Sequence, residues 1–250
     1  MAESSVLLFK STRAPRPVST GPDPLAAALT LALAEMPPRP AGLAACVAYL
    51  QEAPEWLATR ATGVRALGRF RDALFSAPGR SQQMRAVWRE SLVTACVTAQ
   101  LARLACLDAP VLTAAGLLHR MGDIWALTAL ARAEAATQVR LVGAAANEAY
   151  AARDADLAAR MVAAWRLTPD VATAVLGWRS CLDAGSPATA LNPAQAVYLG
   201  RLLAMEQLHS NFCTPGVIDA AAAELTVSPE LLDAVRAASA GADTLLQRLD

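Results

Sequence analysis

The stretch Gly116-Leu117-Leu118-His119-Arg120-Met121-Gly122-Asp123 joins two apolar segments and sets His119 and Arg120 side by side. An imidazole next to a carboxylate would form a pair of metal ligands. A guanidinium instead offers only hydrogen-bond donors, has no lone pair and stays positively charged at any working pH. Arg120 therefore cannot hold a cation, and the stretch has the frame of a metal-binding helix motif that has lost one ligand.

Composition limits the class of protein. The chain has 250 residues, 55% of them hydrophobic, and balances 22 Lys and Arg against 22 Asp and Glu. Such a chain can bury a sizeable core, and its neutral charge gives no general attraction to nucleic acid or anionic lipid. No apolar run reaches the roughly 18 residues of a membrane-spanning helix, and residues 1–20 lack the apolar region of a signal peptide. We expect a soluble, cytoplasmic protein with no nucleic-acid or membrane partner.

The cysteines and tryptophans are predicted to be structural. The cysteines stand singly without a CxxC pair, which indicates neither a zinc site nor a disulfide framework. We expect reduced core residues at Cys46, Cys96, Cys106, Cys181 and Cys213. Core side chains, each with a partner for its indole N–H, are expected at Trp88, Trp125, Trp165 and Trp178, and partial exposure at Trp56.

Repeated helix-start signals predict an all-α chain. A capping side chain directly precedes a proline at Asp23, Thr168, Asn192, Thr214 and Ser228, an arrangement that suits the first turn of a helix. No alternating β-branched run or hairpin turn indicates a strand. Helices are predicted at 24–35, 40–52, 54–60, 63–76, 81–106, 109–119, 122–133, 136–152, 154–166, 169–183, 193–209, 215–225 and 229–249. Because no fixed-period repeat appears, we expect an irregular multi-helix globular bundle rather than a solenoid.

The predicted helix 81–106 has a polar and an apolar face at about 100° per residue. The polar arc contains Arg85, Arg89, Gln100 and Arg103, whereas Glu90 falls on the mostly apolar arc. A carboxylate in that place is expected to be partly buried, and it then needs a cation or several donors nearby. The alternative is that this part of the arc faces solvent.

Three motifs occur in a fixed order: Val87-Trp88-Arg89-Glu90-Ser91-Leu92, then Gly116 to Gly122, then Ala164-Trp165-Arg166-Leu167-Thr168-Pro169. With these motifs the chain resembles the HDOD family, an all-helical branch of the HD-domain superfamily found mainly in bacterial signalling proteins. Members of that family usually show W-R-H-S, G-L-L-H-D-I-G and W-x-L-P. The agreement covers about residues 86–205, and Pro24 to Leu29 is weakly similar to the family's D-P-x-L helix.

The resemblance implies a domain organisation. Residues 1–21 are rich in Ser, Thr, Arg and Pro and are predicted to be a flexible N-terminal tail. The rest is expected to form a single HDOD-like domain over 22–250, with an HD-like core at 86–205, an N-terminal helical part at 22–85 and C-terminal helices at 206–250.

Carried over position by position, the resemblance implies that the metal ligands are lost. The first histidine of an active HD enzyme corresponds to Glu90, the histidine of the doublet is kept as His119, and its aspartate is Arg120. The remaining family positions, a histidine, a histidine pair and a last carboxylate, fall on Asp154, Trp178, Arg179 and Arg201.

A hydrolytic metal site cannot be built from these residues. Such a site needs several imidazoles and carboxylates around cations that lower the pKa of a bound water. The chain contains only two histidines, and His209 lies far from any matched position. His119 and Asp123 would form a minimal metal pair only if one helix continued through Gly122. We expect no metal, no cofactor and no catalytic residue.

Two hypotheses account for the substituted positions. In the first, Glu90 and Arg120, joined by Asp154 and Arg201, form a buried ion-pair cluster in the volume of the lost metals. This hypothesis predicts Glu90 within hydrogen-bonding reach of Arg120. In the second, an anion pocket for a nucleotide or phosphorylated metabolite uses the donors Arg120, Arg179 and Arg201.

The resemblance implies a non-catalytic regulatory or scaffolding module in bacterial signal transduction that acts through contacts with other signalling proteins. The alternatives are an atypical metal-dependent phosphohydrolase or phosphodiesterase and a sensor that binds a nucleotide or other anion. The sequence does not indicate an oligomeric state.

Overall fold

A computed structural model describes residues 23–52, 61–142, 153–182, 191–208 and 215–249, and in these ranges the secondary structure is twelve α-helices without a strand. The helices are α1 Pro24–Ala34, α2 Leu43–Gln51, α3 Ala61–Leu74, α4 Ser81–Leu104, α5 Ala109–Leu118, α6 Met121–Thr137, α7 Asp154–Trp165, α8 Pro169–Gly177, α9 Pro193–Gln207, α10 Pro215–Glu224, α11 Pro229–Ser239 and α12 Ala242–Leu249. The all-α prediction is confirmed.

The helix predictions differ from the structure in three places. Helix α6 continues to Thr137, and residues 138–142, all within the predicted helix 136–152, are not helical. The predicted helix 229–249 is two helices, because the chain turns at Ala240 and Gly241. The predicted helix 169–183 ends at Gly177. The predicted helix 54–60, most of 136–152 and the predicted tail 1–21 lie outside the described residues.

Helix α4 is the central element of the fold. It packs against α5, α9 and α11 and also touches α2, α6 and α12. Every side chain from Ser91 to Ala102 is buried, so this part of the helix is covered on all sides. Gln100 was predicted on a polar arc and is buried, with Arg103 donating to its side-chain oxygen. The remaining members of that arc are exposed.

Four of the five predicted helix caps fall in the described residues. Asp23 accepts from the backbone of Leu25 at 3.0 Å and Ser228 from that of Leu231 at 3.2 Å. Asn192 forms a reciprocal capping box with Gln195. Thr168 is the N-cap residue before Pro169, as predicted, but its side chain makes no capping hydrogen bond. Thr214 lies outside the described residues.

The tryptophan and cysteine predictions are confirmed in part. Trp88, Trp125, Trp165 and Trp178 are all buried. The indole N–H of Trp165 reaches Pro37 O at 3.1 Å, but in the described part of the chain those of Trp88 and Trp125 have no partner. Cys46 and Cys96 are buried, Cys181 is half-buried, and Cys106 is exposed at a positive φ, which corrects its assignment to the core. Trp56 and Cys213 lie outside the described residues.

Close helix crossings depend on Gly116, in α5. A Cβ atom at this position would lie 2.5 Å from Thr98 Oγ1 and 2.9 Å from Ala95 Cα, both in α4. We expect Gly116→Ala to lower the free energy of unfolding by about 1–3 kcal/mol, because α4 and α5 must separate. Urea unfolding followed by circular dichroism measures the change.

Gly68, in α3, provides the matched control for that substitution. Nothing lies within 4 Å of a Cβ atom placed there. Gly68→Ala is expected to stabilise the protein by up to about 1 kcal/mol through helix propensity alone. If both variants gained stability, the tight crossing at Gly116 would be contradicted.

Candidate functional site

The candidate site lies where the six helices from α4 to α9 meet. Glu90 projects from α4. His119 is the C-cap of α5 and Arg120 is the N-cap of α6, so these two residues form the junction between the helices. The seven positions inferred from the resemblance come together around this junction: Glu90, His119, Arg120, Asp154, Trp178, Arg179 and Arg201.

Glu90 is held between two arginines. Arg120 Nη1 donates to Glu90 Oε2 at 2.6 Å, and Arg201 Nε, from α9, donates to Glu90 Oε1 at 2.6 Å. The Glu90 side chain is 13% exposed, and those of Arg120 and Arg201 are 20% and 22% exposed. The expected hydrogen bond between Glu90 and Arg120 is therefore present, and the alternative of a solvent-facing Glu90 is wrong.

A second set of ion pairs continues from Arg120. Its Nε donates to Asp123 Oδ2 at 2.7 Å, and Arg179 lies 3.5 Å from the same oxygen. Arg179 also pairs with Asp154, the first residue of α7. Three carboxylates and three guanidiniums thus alternate in one chain of contacts, which we call the vestigial cluster: Glu90, Arg120, Asp123, Asp154, Arg179 and Arg201. Its formal charges cancel.

His119 and Trp178 form the inner wall of the cluster. The His119 side chain is fully buried, its Nδ1 donates to Gly116 O at 2.7 Å, and its Nε2 lies 3.6 Å from Glu90 Oε1. The Trp178 ring meets the imidazole edge-on at 5.3 Å and donates its indole N–H to His119 O at 3.0 Å. The guanidiniums of Arg179 and Arg201 lie 4.3 Å and 5.0 Å from the centre of the Trp178 ring, in cation–π range.

The ion pairs set the charge states of the site. Burial would raise the pKa of Glu90, but the guanidinium groups of Arg120 and Arg201 outweigh it and hold this pKa well below its usual range. Burial lowers the pKa of His119, so the imidazole is neutral near pH 7. Burial and the charge of Asp123 raise the pKa of Asp154, although Arg179 opposes them.

The residues at the site do not fit an HD-type metal. His119 Nε2 and Asp154 Oδ1 are buried and have no hydrogen-bond partner among the described residues, as former ligands would be. Guanidiniums, however, contact all three carboxylates and would repel a cation. Within the described ranges, no three His, Cys, Asp or Glu side chains are placed to hold a metal ion.

Asp123 is the member of the cluster that the sequence analysis missed. It was considered only as a metal partner of His119 on one continuous helix, but the chain turns at His119 and Arg120, so the two residues lie on different helices. Its spacing of three residues from Arg120 was the signal for an ion pair across one helical turn. His209 lies outside the described residues.

The family model of the HDOD domain matches residues 62–178. The chain contains an HDOD domain. No curated protein and no solved structure matches the chain. The matched range begins in α3, earlier than the core predicted to start at residue 86, and it ends at Trp178.

The HDOD match includes the larger part of the vestigial cluster. Glu90, Arg120, Asp123 and Asp154 lie within the matched range, whereas Arg179 and Arg201 follow it.

In the part of the chain that the structure describes, no helix has the length and hydropathy to cross a membrane.

Proposed function

We propose that this HDOD protein is a non-catalytic regulatory or scaffolding module of bacterial signal transduction that acts in the cytoplasm through contacts with other signalling proteins. The observation that carries the proposal is the position of Glu90 between Arg120 and Arg201. Two guanidinium groups stand where a hydrolytic HD site would need a cation, and a neutral ion-pair network ties α4, α6 and α9 together instead.

The same network suits a scaffold. Each ion pair of the vestigial cluster joins residues from different helices, apart from the pair between Arg120 and Asp123. Ion pairs between helices favour one register of the elements they join, since a shift would leave a charge unpaired. The cluster therefore supports a constant arrangement of helices that presents surfaces to partners.

Metal analysis of the purified protein tests the proposal. We expect far less than one transition-metal ion per chain after purification without chelator, because the guanidiniums oppose cation binding. A variant with Glu90→His and Arg120→Asp restores ligand types at two positions and serves as the positive control for uptake. One tightly bound ion per wild-type chain, together with hydrolysis of a phosphodiester, would establish the enzyme alternative in place of the scaffold.

A cavity beside the cluster favours a second candidate, an anion sensor. Its volume is about 560 Å³, and it is lined by Glu90, Arg120, Arg201 and the apolar residues Leu202 and Met205. Two guanidiniums and one carboxylate line this cavity, and Arg120 also pairs with Asp123. Calorimetry with mononucleotides and cyclic nucleotides separates the candidates, because the scaffold predicts no heat of binding at millimolar nucleotide.

A further inference from the structure

A shallow groove between α2, α5 and α8 lies apart from the vestigial cluster and shares no residue with it. The cavity has a volume of about 260 Å³. Its surface is mainly aliphatic and is formed by Leu43, Val47, Val111, Ala114, Leu118 and Val171. Val47, Val111 and Ala114 are half-buried, so their methyl groups meet solvent along the groove. The groove offers an apolar surface of the size of a few aliphatic side chains.

The positive charge of this groove is concentrated at one end. Arg39 Nη1 donates to Trp165 O at 2.9 Å, and Arg166, the next residue, also lines the groove. Both arginines are exposed, and neither contacts a carboxylate of the described residues. Thr168 lines the same end, and its hydroxyl makes no capping hydrogen bond. The groove lining contains no acidic residue.

Two exposed guanidiniums beside an aliphatic surface suit a ligand with a single negative charge next to an aliphatic segment. Guanidiniums bind carboxylates through paired, charge-assisted hydrogen bonds, and the Thr168 hydroxyl adds a donor. The aliphatic surface beside them accepts methyl groups that a bare anion does not have. Because both guanidiniums lie beside the aliphatic surface, a free C-terminal carboxylate that follows aliphatic side chains matches the chemistry of the groove.

We propose that the groove binds the free C-terminal carboxylate of a partner protein whose last side chains are aliphatic. The inference rests on the proposed scaffolding role and names the chemistry of a partner for it. Arg39 and Arg166 hold the carboxylate, while Val47, Val111 and Val171 contact the last two side chains.

The test uses a fluorescently labelled peptide with the sequence Ser-Gly-Ala-Val-Leu-Leu, with either a free or an amidated C-terminus, and fluorescence anisotropy with the full chain. The free acid is expected to bind at least about tenfold more tightly than the amide, since the amide lacks the charge. Arg166→Met is expected to remove that difference. Arg166 makes no side-chain bond to the described fold, so the variant should fold normally.

Arg69→Met, an exposed arginine on α3 outside the groove, is the matched control and should keep the full preference for the acid. Equal binding of acid and amide, or no binding, overturns the proposal. So does stronger binding of decanoate, which would make the ligand a fatty acid. Peptide binding only after removal of residues 1–22, or peptide-induced dissociation of a dimer, would assign the groove to the chain itself. None of these outcomes changes the metal content, so the scaffolding role is tested separately.

Discussion

Replacing Glu90 with glutamine is expected to lower the free energy of unfolding by about 3–5 kcal/mol, the range for breaking a buried ion pair from one side. Glutamine keeps the shape of the side chain and one acceptor oxygen, but it removes the charge that balances Arg120 and Arg201. The two guanidiniums then face each other without a shared carboxylate in a site that is only 20–22% exposed. Urea unfolding followed by tryptophan fluorescence measures the loss.

Glu35→Gln is the matched control. Glu35 also pairs with an arginine, Arg132, at 2.8 Å, but the two side chains are 73% and 51% exposed. Exposed pairs contribute about 0–1 kcal/mol, so this variant should change stability little. Adding Arg201→Gln to the Glu90 variant restores charge balance and should recover part of the loss. Equal effects at Glu35 and Glu90 would show that the cluster is not coupled as the geometry implies.

The pH dependence of stability provides a second readout of Glu90. Because the pKa of Glu90 in the fold lies below its ordinary value of 4.5, the carboxylate contributes stability above that pH and loses it as the pH falls. Asp154 acts in the opposite direction, since its pKa is raised and the folded state takes up its proton more readily. We expect the acid limb of the stability curve to be shallower in Glu90→Gln than in the wild type.

The cluster could be predicted from the sequence to a large extent, for a physical reason. Glu90 lies on the apolar arc of a long helix, and Arg120 replaces a ligand of opposite charge. Each buried charge requires a partner of opposite charge, so the two residues predict an ion pair. The helix order was readable because prolines follow capping residues and apolar residues recur at helical spacing. The boundary between α5 and α6 was placed within a few residues, although no proline follows a capping residue there.

Contacts between residues distant in sequence could not be predicted from motifs or helical periodicity. Gln100 belongs to a polar arc by periodicity, yet α4 is covered on all sides by helices distant in sequence. The groove lined by Arg39 and Arg166 joins residues more than a hundred positions apart. Arg166 lies in the third motif, but nothing in that motif indicates that Arg39 is its neighbour. The ion pair between Arg80 and Glu134 spans 54 positions and carries no local signal.

Because Arg80 forms a buried ion pair with Glu134, we expect Arg80→Met to destabilise the protein by about 3–5 kcal/mol. Arg80 precedes α4 and is 3% exposed, and Glu134 in α6 is 9% exposed. Arg80 Nε donates to Glu134 Oε2 at 2.9 Å, and the same carboxylate accepts from Leu141 N at 2.7 Å. Methionine keeps the apolar volume of the side chain but leaves Glu134 buried without a cation.

The pH dependence separates this explanation from a simple packing defect. Burial raises the pKa of Glu134, but Arg80 and the Leu141 N–H outweigh it and keep the pKa below its usual value. Without Arg80, the pKa of Glu134 rises relative to the wild type, so the folded variant gains a proton more readily than the folded wild type. The deficit of Arg80→Met should therefore shrink between pH 7 and pH 4.

Arg132→Met, on the same helix as Glu134, is the control, because it breaks the exposed pair with Glu35 and should show a small deficit at every pH. Both variants can be followed by urea unfolding at each pH with tryptophan fluorescence as the probe. A large deficit in Arg80→Met that stays constant from pH 7 to pH 4 would mean that lost packing, not an unpaired Glu134, destabilises the variant. The bond from Arg80 to Leu141 O would then be the main contribution of this arginine to the fold.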